Sequence, residues 1–164
     1  MKYVLIGKIV STHGIKGEIK ILTSFKYIKK ALIPGMNVYI GKDKQKEKIV
    51  TYRHHKIFEM ITLEGYDNIN QILKYKGEYI FVNKEDIKLS KNEYLDEDII
   101  GLSVYKENTY VGNIKKIENH NGNEVLYISN EQKNYLVPYN FDIITDINLK
   151  EKTMKVKNII GMFD

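Results

Sequence analysis

Three features of this sequence could hold chemistry: its histidines, one run of carboxylates and one pair of glycines. The four histidines are His13, His54, His55 and His120. An imidazole can ligate a metal or move a proton near neutral pH. His54 and His55 are neighbours in a segment that reads as a strand, so their rings point to opposite faces and cannot chelate one ion. No HExxH, DxDxDG or clustered carboxylate–histidine spacing is present. All four are therefore best read as surface or half-buried imidazoles. Glu93, Asp96, Glu97 and Asp98 make the densest acidic cluster. Acid–base chemistry needs two carboxylates facing each other across a pocket, not neighbours along a connecting segment. A solvated connection, or a contact for a basic protein surface, suits this run better.

Gly14-Ile15-Lys16-Gly17 spells GxxG, which in KH domains clamps a nucleic-acid backbone between two helices. Here strands flank it, and two glycines supplying positive backbone angles in a β-turn is the favoured reading. Walker A, GxGxxG and GxSxG patterns are all absent. The chain has no cysteine, which excludes disulfides, thiolate nucleophiles and Cys-ligated zinc. No metal, no cofactor and no catalytic residue is expected.

The elements that would carry these residues read as short strands. Tyr3 to Val10 and Gly17 to Thr23 are rich in β-branched residues and separated by glycines. Met36 to Ile40 follows a Pro34-Gly35 turn, with Met36, Val38 and Ile40 in alternation. Ile49 to His55 and Phe58 to Leu63 read as a hairpin. Asn68 to Tyr75 is the one helix expected, capped by Asp67 or Asn68, with Ile69, Ile72 and Leu73 on one face and Gly77 as its stop. Glu78 to Val82 returns to strand. Further strands are expected at Gly101 to Tyr105, Tyr110 to Ile117, Val125 to Ser129, Tyr135 to Pro138 and Thr153 to Val156. Many short strands at regular intervals point to an all-β chain of two small closed barrels in tandem.

A chain of 164 residues fits two small domains, each near the lower limit for an independent core. Residues 1 to 90 hold 17 basic and 9 acidic groups, a net of +8, whereas residues 91 to 164 hold 9 basic and 12 acidic groups, a net of −3. The charge break falls in a polar stretch, and the expected division is residues 1–88, a linker at 89–97 and residues 98–164. Arg53 is the only arginine. Lysine acts as a point charge where arginine offers a planar fork, so attraction to a nucleic-acid backbone is expected in preference to base reading. The opening Met1-Lys2-Tyr3-Val4-Leu5-Ile6 briefly imitates a signal peptide until Lys8 interrupts it. Nothing approaches the roughly 18 apolar residues of a membrane span, and a soluble, cytoplasmic monomer is expected. Thirteen tyrosines without tryptophan suit half-buried strand positions and binding surfaces.

Specific strings then carry a resemblance. Ile6-Gly7-Lys8-Ile9-Val10 followed by His13-Gly14-Ile15-Lys16-Gly17-Glu18-Ile19-Lys20 resembles the opening signature of the RimM family, bacterial ribosome maturation factors. Glu64-Gly65-Tyr66-Asp67-Asn68, with Leu73 and Gly77, resembles the family's sequence of strand, capped helix and returning strand. Glu93-Tyr94-Leu95-Asp96-Glu97-Asp98-Ile99-Ile100-Gly101-Leu102 is similar to its junction into a PRC-type barrel. Leu95 stands where that family usually has a second tyrosine, and Asp96 where an aromatic residue is common. Leu136-Val137-Pro138-Tyr139, Asp146 and Gly161-Met162 match the tail pattern.

The resemblance implies an N-terminal barrel like those of translation factors, a C-terminal PRC-type barrel and no catalysis. It implies binding to the head of the immature small ribosomal subunit, through small-subunit ribosomal protein nineteen and nearby ribosomal RNA, in support of assembly and 16S rRNA processing. Tyr94, Leu95, Asp98, Gly101 and Pro138 are the expected protein-binding residues. Lys8, His13, Gly14, Lys16, Gly17 and Lys20 are the expected contacts to rRNA or the subunit. The charge pattern agrees in kind, since a lysine-rich half neutralises phosphates and an acidic half complements a basic protein. Two readings compete: a translation-factor-like RNA-binding barrel with a separate protein-interaction domain, and, ranked lowest, a barrel holding a small ligand such as a flavin.

Overall fold

Strand β1 (Tyr3–His13) shows how the first unit is built. In the computed structural model, which describes residues 1–164, its buried residues are Val4, Ile6 and Ile9. The step of two between Val4 and Ile6 becomes a step of three to Ile9. The register against its neighbours shifts between Leu5 and Gly7 on one side and between Ile9 and Ser11 on the other. Each extra residue bends the strand and raises its twist, which is how a short sheet curls far enough to close. At the first shift Gly7 lies so near β2 (Glu18–Leu22) that a Cβ there would stand 2.8 Å from the Leu22 carbonyl oxygen.

The chain continues through α1 (Ile28–Ala31), β3 (Asn37–Ile40), β4 (Gln45–His55), β5 (Phe58–Leu63), α2 (Ile69–Ile72) and β6 (Tyr79–Asn83). These strands close in the order β1-β2-β5-β4-β3-β6. Ile6, Ile9, Ile19, Ile21, Ile61 and Ile80 are each at most 1% exposed and form the heart of this core. The expected hairpin of β4 and β5 is present, pairing His55 with Phe58 next to its turn.

The helix expected over 68–75 begins where its cap predicts. Asn68 accepts from the N–H groups of Asn70 and Gln71, and Gln71 reaches back to the Asn68 N–H, a reciprocal capping box. After Ile72 it tightens into a 3-10 turn over Leu73–Tyr75. The three-residue period then sends Tyr75 inward beside Ile72 and leaves Leu73 exposed, so Leu73 does not share the buried face expected of it. The alternation read for β3 is also incomplete. Val38, Tyr39 and Ile40 are all buried, because the Tyr3 ring lies over Tyr39 with centroids 5.1 Å apart. Besides the one expected helix there are two more short ones, α1 and α3 (Asp96–Ile99).

The chain divides into two compact units, Met1–Leu89 and Ser90–Asp164. The second contains α3, whose first turn takes Asp96 and Glu97 from the end of the stretch read as a linker. It continues through β7 (Ser103–Lys106), β8 (Thr109–His120), β9 (Asn123–Ser129), β10 (Asn134–Pro138), β11 (Ile144–Asn148) and β12 (Thr153–Val156). The strands run in the order β10-β9-β8-β7-β12-β11, with β12 parallel to β7 and all other pairs antiparallel. Ile99, Leu102, Val104, Leu126, Ile128 and Met154 lie in one hydrophobic cluster. Strand β11 lies outside the sequence expectation, and its register shift between Ile144 and Asp146 is the reason: a bulge blurs the two-residue period. No helix is long and apolar enough to cross a membrane.

Candidate functional site

The turn between β1 and β2 holds Gly14 and Gly17 at φ +71° and +87°, the positive angles expected of the GxxG string. Gly17 is buried, and a Cβ at that position would stand 3.0 Å from the Asn68 carbonyl oxygen. The Ile69 N–H donates to the Ile15 carbonyl at 3.1 Å. The turn is thus seated on the start of α2, with Gly17 serving as its foot. Ile15 and Lys16 remain exposed at the tip.

Beside this turn the outward side chains of β1, β2, β5 and β4 form a charged cluster. The rings of His13 and His55 lie 6.1 Å apart. Lys20 holds its ammonium 5.0 Å over the Phe58 ring. Arg53 donates through Nε and Nη2 to the two carboxylate oxygens of Glu18, at 2.8 and 2.7 Å. That bidentate pairing outweighs partial burial and holds the Glu18 carboxyl below its ordinary range, helped by the charges of Arg53, His13 and His55. His55 is depressed from its ordinary value, first by desolvation and then by the surrounding Arg53, Lys56, His13 and Lys20.

Those two shifts describe one electrostatic fact. Arg53, His13 and His55 surround the Glu18 carboxylate, which Arg53 already engages, and Lys20 and Lys56 lie near His55. One carboxylate among several basic side chains leaves positive potential on this face, which suits a polyanion. The structure brings His13 and Lys20 into this cluster and leaves Gly14 and Lys16 at the adjoining tip. Lys8 lies elsewhere, between Leu22 and Tyr79 in register and 5.5 Å over the Tyr79 ring. Glu18, Arg53, His55 and Lys56 are the cluster members that sequence reasoning missed. The parity of β4 already turns His54 and His55 to opposite faces, but the approach of His55 to His13 depends on the nonlocal pairing of β2 with β5.

The other histidine of that pair has a different surrounding. His54 Nδ1 lies 2.6 Å from a carboxylate oxygen of Glu59, which is only 4% exposed, and the Tyr52 hydroxyl donates to its second oxygen. Burial, then the Glu59 carboxylate, pushes Tyr52 up to about 12. Both side-chain oxygens of Glu59 thus have partners within its own barrel.

In the second unit Tyr94 precedes α3, half-buried, with its ring stacked on Phe141 at 6.3 Å and 25° between planes. Phe141 also meets Tyr139 at 6.3 Å. Tyr139 follows Pro138, the exposed last residue of β10, so three rings connect the start of α3 to the end of β10. This brings Tyr94 and Pro138, 44 positions apart in the sequence, to one region. Tyr139 and Phe141 were not foreseen as part of it. Leu95 is 3% exposed and gives almost no surface. Asp98 is half-exposed within α3, while the exposed Gly101 donates its N–H to the Ile114 carbonyl at 2.8 Å and accepts Asn113 Nδ2 at 3.1 Å.

Similarity to known proteins follows this division. The RimM N-terminal domain family matches residues 4–87 and the RimM PRC barrel domain family matches residues 96–161. A ribosome maturation factor RimM from Staphylococcus haemolyticus is 36% identical over 164 residues, covering 97% of this chain and 98% of its own length. One from Staphylococcus epidermidis is 38% identical with the same coverage. A crystal structure from Pseudomonas aeruginosa, described as a 16S ribosomal RNA processing protein RimM, covers 96% of this chain and 98% of its own at 23% identity and a TM-score of 0.48.

Proposed function

The chain belongs to the RimM family, and on that premise we propose that it is a non-catalytic, cytoplasmic maturation factor that binds the head of the immature small ribosomal subunit. The first unit contacts ribosomal RNA there, and the second contacts small-subunit ribosomal protein nineteen, supporting assembly and 16S rRNA processing. The observation that carries this reading is the basic cluster of Lys20 and Arg53 beside the His13 and His55 rings, with Lys16 at the adjoining tip. Its chemistry suits phosphates, since its lysines are point charges and its one guanidinium is already engaged by Glu18. In the second unit, Tyr94, Asp98, Gly101 and Pro138 supply the protein-facing surface, and Leu95 supports it from beneath. The acidic first turn of α3, Asp96, Glu97 and Asp98, complements a basic ribosomal protein. Joined in one chain, the two surfaces raise each other's effective concentration. Binding one rRNA arrangement more tightly than its rivals then shifts the population toward it, with no bond made or broken.

Sedimentation of the tagged full chain with cell extract tests the reading. It should travel with free and precursor small subunits and be scarce on full ribosomes; equal loading on both would overturn the assembly role. Lys16→Ala and Lys20→Ala should each flatten the dependence of log K for RNA on log salt concentration, by about 0.7 to 0.9 for every phosphate that the variant no longer neutralises.

A further inference from the structure

A second surface of the first unit lies outside the cationic cluster. On β1 and β6 the pairs Leu5–Phe81 and Lys8–Tyr79 face outward, with Tyr3 two residues before Leu5 on the same side. Tyr3, Leu5 and Tyr79 are 39%, 52% and 51% exposed. Phe81 is half-buried between them, meeting Tyr3 at 6.4 Å. Each end of this apolar strip carries a lysine. Lys44 sits 4.2 Å from the Phe81 ring centre and 5.7 Å from that of Tyr3, and Lys8 sits 5.5 Å from that of Tyr79.

Exposed large side chains gathered on one sheet face are costly in water and mark a binding surface. The two lysines decide what kind. A protein core pressed onto these rings would bury both ammonium groups without an opposite charge, at a large desolvation cost. Unstacked bases avoid that cost, because each flexible lysine now lying over a ring can turn to a phosphate as the base takes its place. Duplex RNA hides its base faces and cannot use such a strip.

We infer that the outward face of β1 and β6 is a stacking platform for unpaired RNA bases. The inference rests on the rRNA-binding reading above and gives that reading a preference the cationic cluster cannot supply, namely single strands over helices. A ribosomal RNA segment not yet folded into its mature pairing has the chemistry this face accepts.

The test measures binding of the full chain to a short oligoadenylate strand and to a short RNA duplex of equal phosphate number, by fluorescence anisotropy across a salt series. The wild type should prefer the single strand. Tyr79→Ala should lower single-strand affinity about ten-fold, leave duplex affinity and the salt dependence unchanged, and Tyr79→Phe should restore it. If Tyr79→Ala does not keep the wild-type melting temperature, Leu5→Ser serves as the second variant, with the same selective loss expected. Equal affinity of the wild type for strand and duplex overturns the platform and leaves phosphate binding standing. So does equal loss on both RNAs, or a Tyr79 variant that weakens only binding of a purified ribosomal protein. Failure of the wild type to bind either RNA overturns both readings.

Discussion

Arg53 on β4 reaches across β5 to grip Glu18 on β2 through two hydrogen bonds of 2.8 and 2.7 Å. Met60, the β5 residue in register with both Arg53 and Lys20, lies beneath this bridge and is completely buried. Three strands are thereby fastened on their outer side by a pair that also sets the field felt by His13 and His55.

This bridge has a defined pH signature. Glu18 titrates below its ordinary 4.5 in the folded chain. Its contribution to stability is therefore complete above that value and disappears as pH falls through the lowered one. Glu18→Gln should unfold at lower urea concentration than the wild type at neutral pH, by a modest margin because Arg53 is exposed and salt screens the pair. The two urea midpoints should converge in acid. A deficit that is the same at every pH would show that packing, and not the ion pair, accounts for it.

The GxxG turn separates two costs that are usually confounded. Gly14 and Gly17 both have positive φ, yet a Cβ at Gly14 meets nothing within 4 Å whereas one at Gly17 meets the Asn68 backbone at 3.0 Å. Gly14→Ala should cost the backbone term alone, about 1–2 kcal/mol. Gly17→Ala should exceed it and also loosen the cap of α2, visible as faster amide exchange at Ile69 and Ile72. Equal destabilisation by the two variants would contradict the seating of this turn on the helix.

The junction before α3 places a half-exposed ring beside a buried aliphatic chain, and the two should behave differently. Leu95→Ala removes a buried side chain and should cost roughly 2–5 kcal/mol of unfolding free energy. Tyr94 and Phe141 should show a coupling of about 0.5–1.5 kcal/mol in a double-mutant cycle of alanine variants, the range for a stacked aromatic pair. Additive losses for Tyr94→Ala and Phe141→Ala would remove the stack from the account of this surface.

What could be read in the sequence followed local signals, and what could not was nonlocal or unsignalled. Helix α2 was legible because Asn68 and Gln71 stand at capping-box spacing. Helices α1 and α3 follow Tyr27 and Leu95, neither of which makes a side-chain capping bond; α1 has no acidic first turn either, and the Asp96-Glu97-Asp98 turn of α3 reads equally well as a charged connection. The β4–β5 hairpin was legible from two strand-like segments separated by only two residues, but the parallel pairing of β12 with β7 joins segments some 50 residues apart and leaves no local trace. For the same reason His13 and Lys20 could be named as candidates one by one. Their assembly with Arg53 and His55 required the order β1-β2-β5-β4. Tyr94 was named from a resemblance, while its partner Phe141 lay too far along the chain to be joined to it by pattern alone.

The two register shifts in β1 have a consequence for how this chain tolerates change in length. Tyr3 and Leu5 are odd-numbered, Lys8 is even, and Ser11 and His13 are odd again, yet all pair on the outward side of the barrel. Deleting Gly7 would leave Leu5 and Lys8 at the even spacing of a regular strand, keeping both outward while removing the bend that helps the barrel close. Deleting Val4, away from either bulge, would instead turn Tyr3 toward the core. The strand works as a ruler with two offset scales, so the damage done by a change in length should depend on whether it falls at an offset or between them.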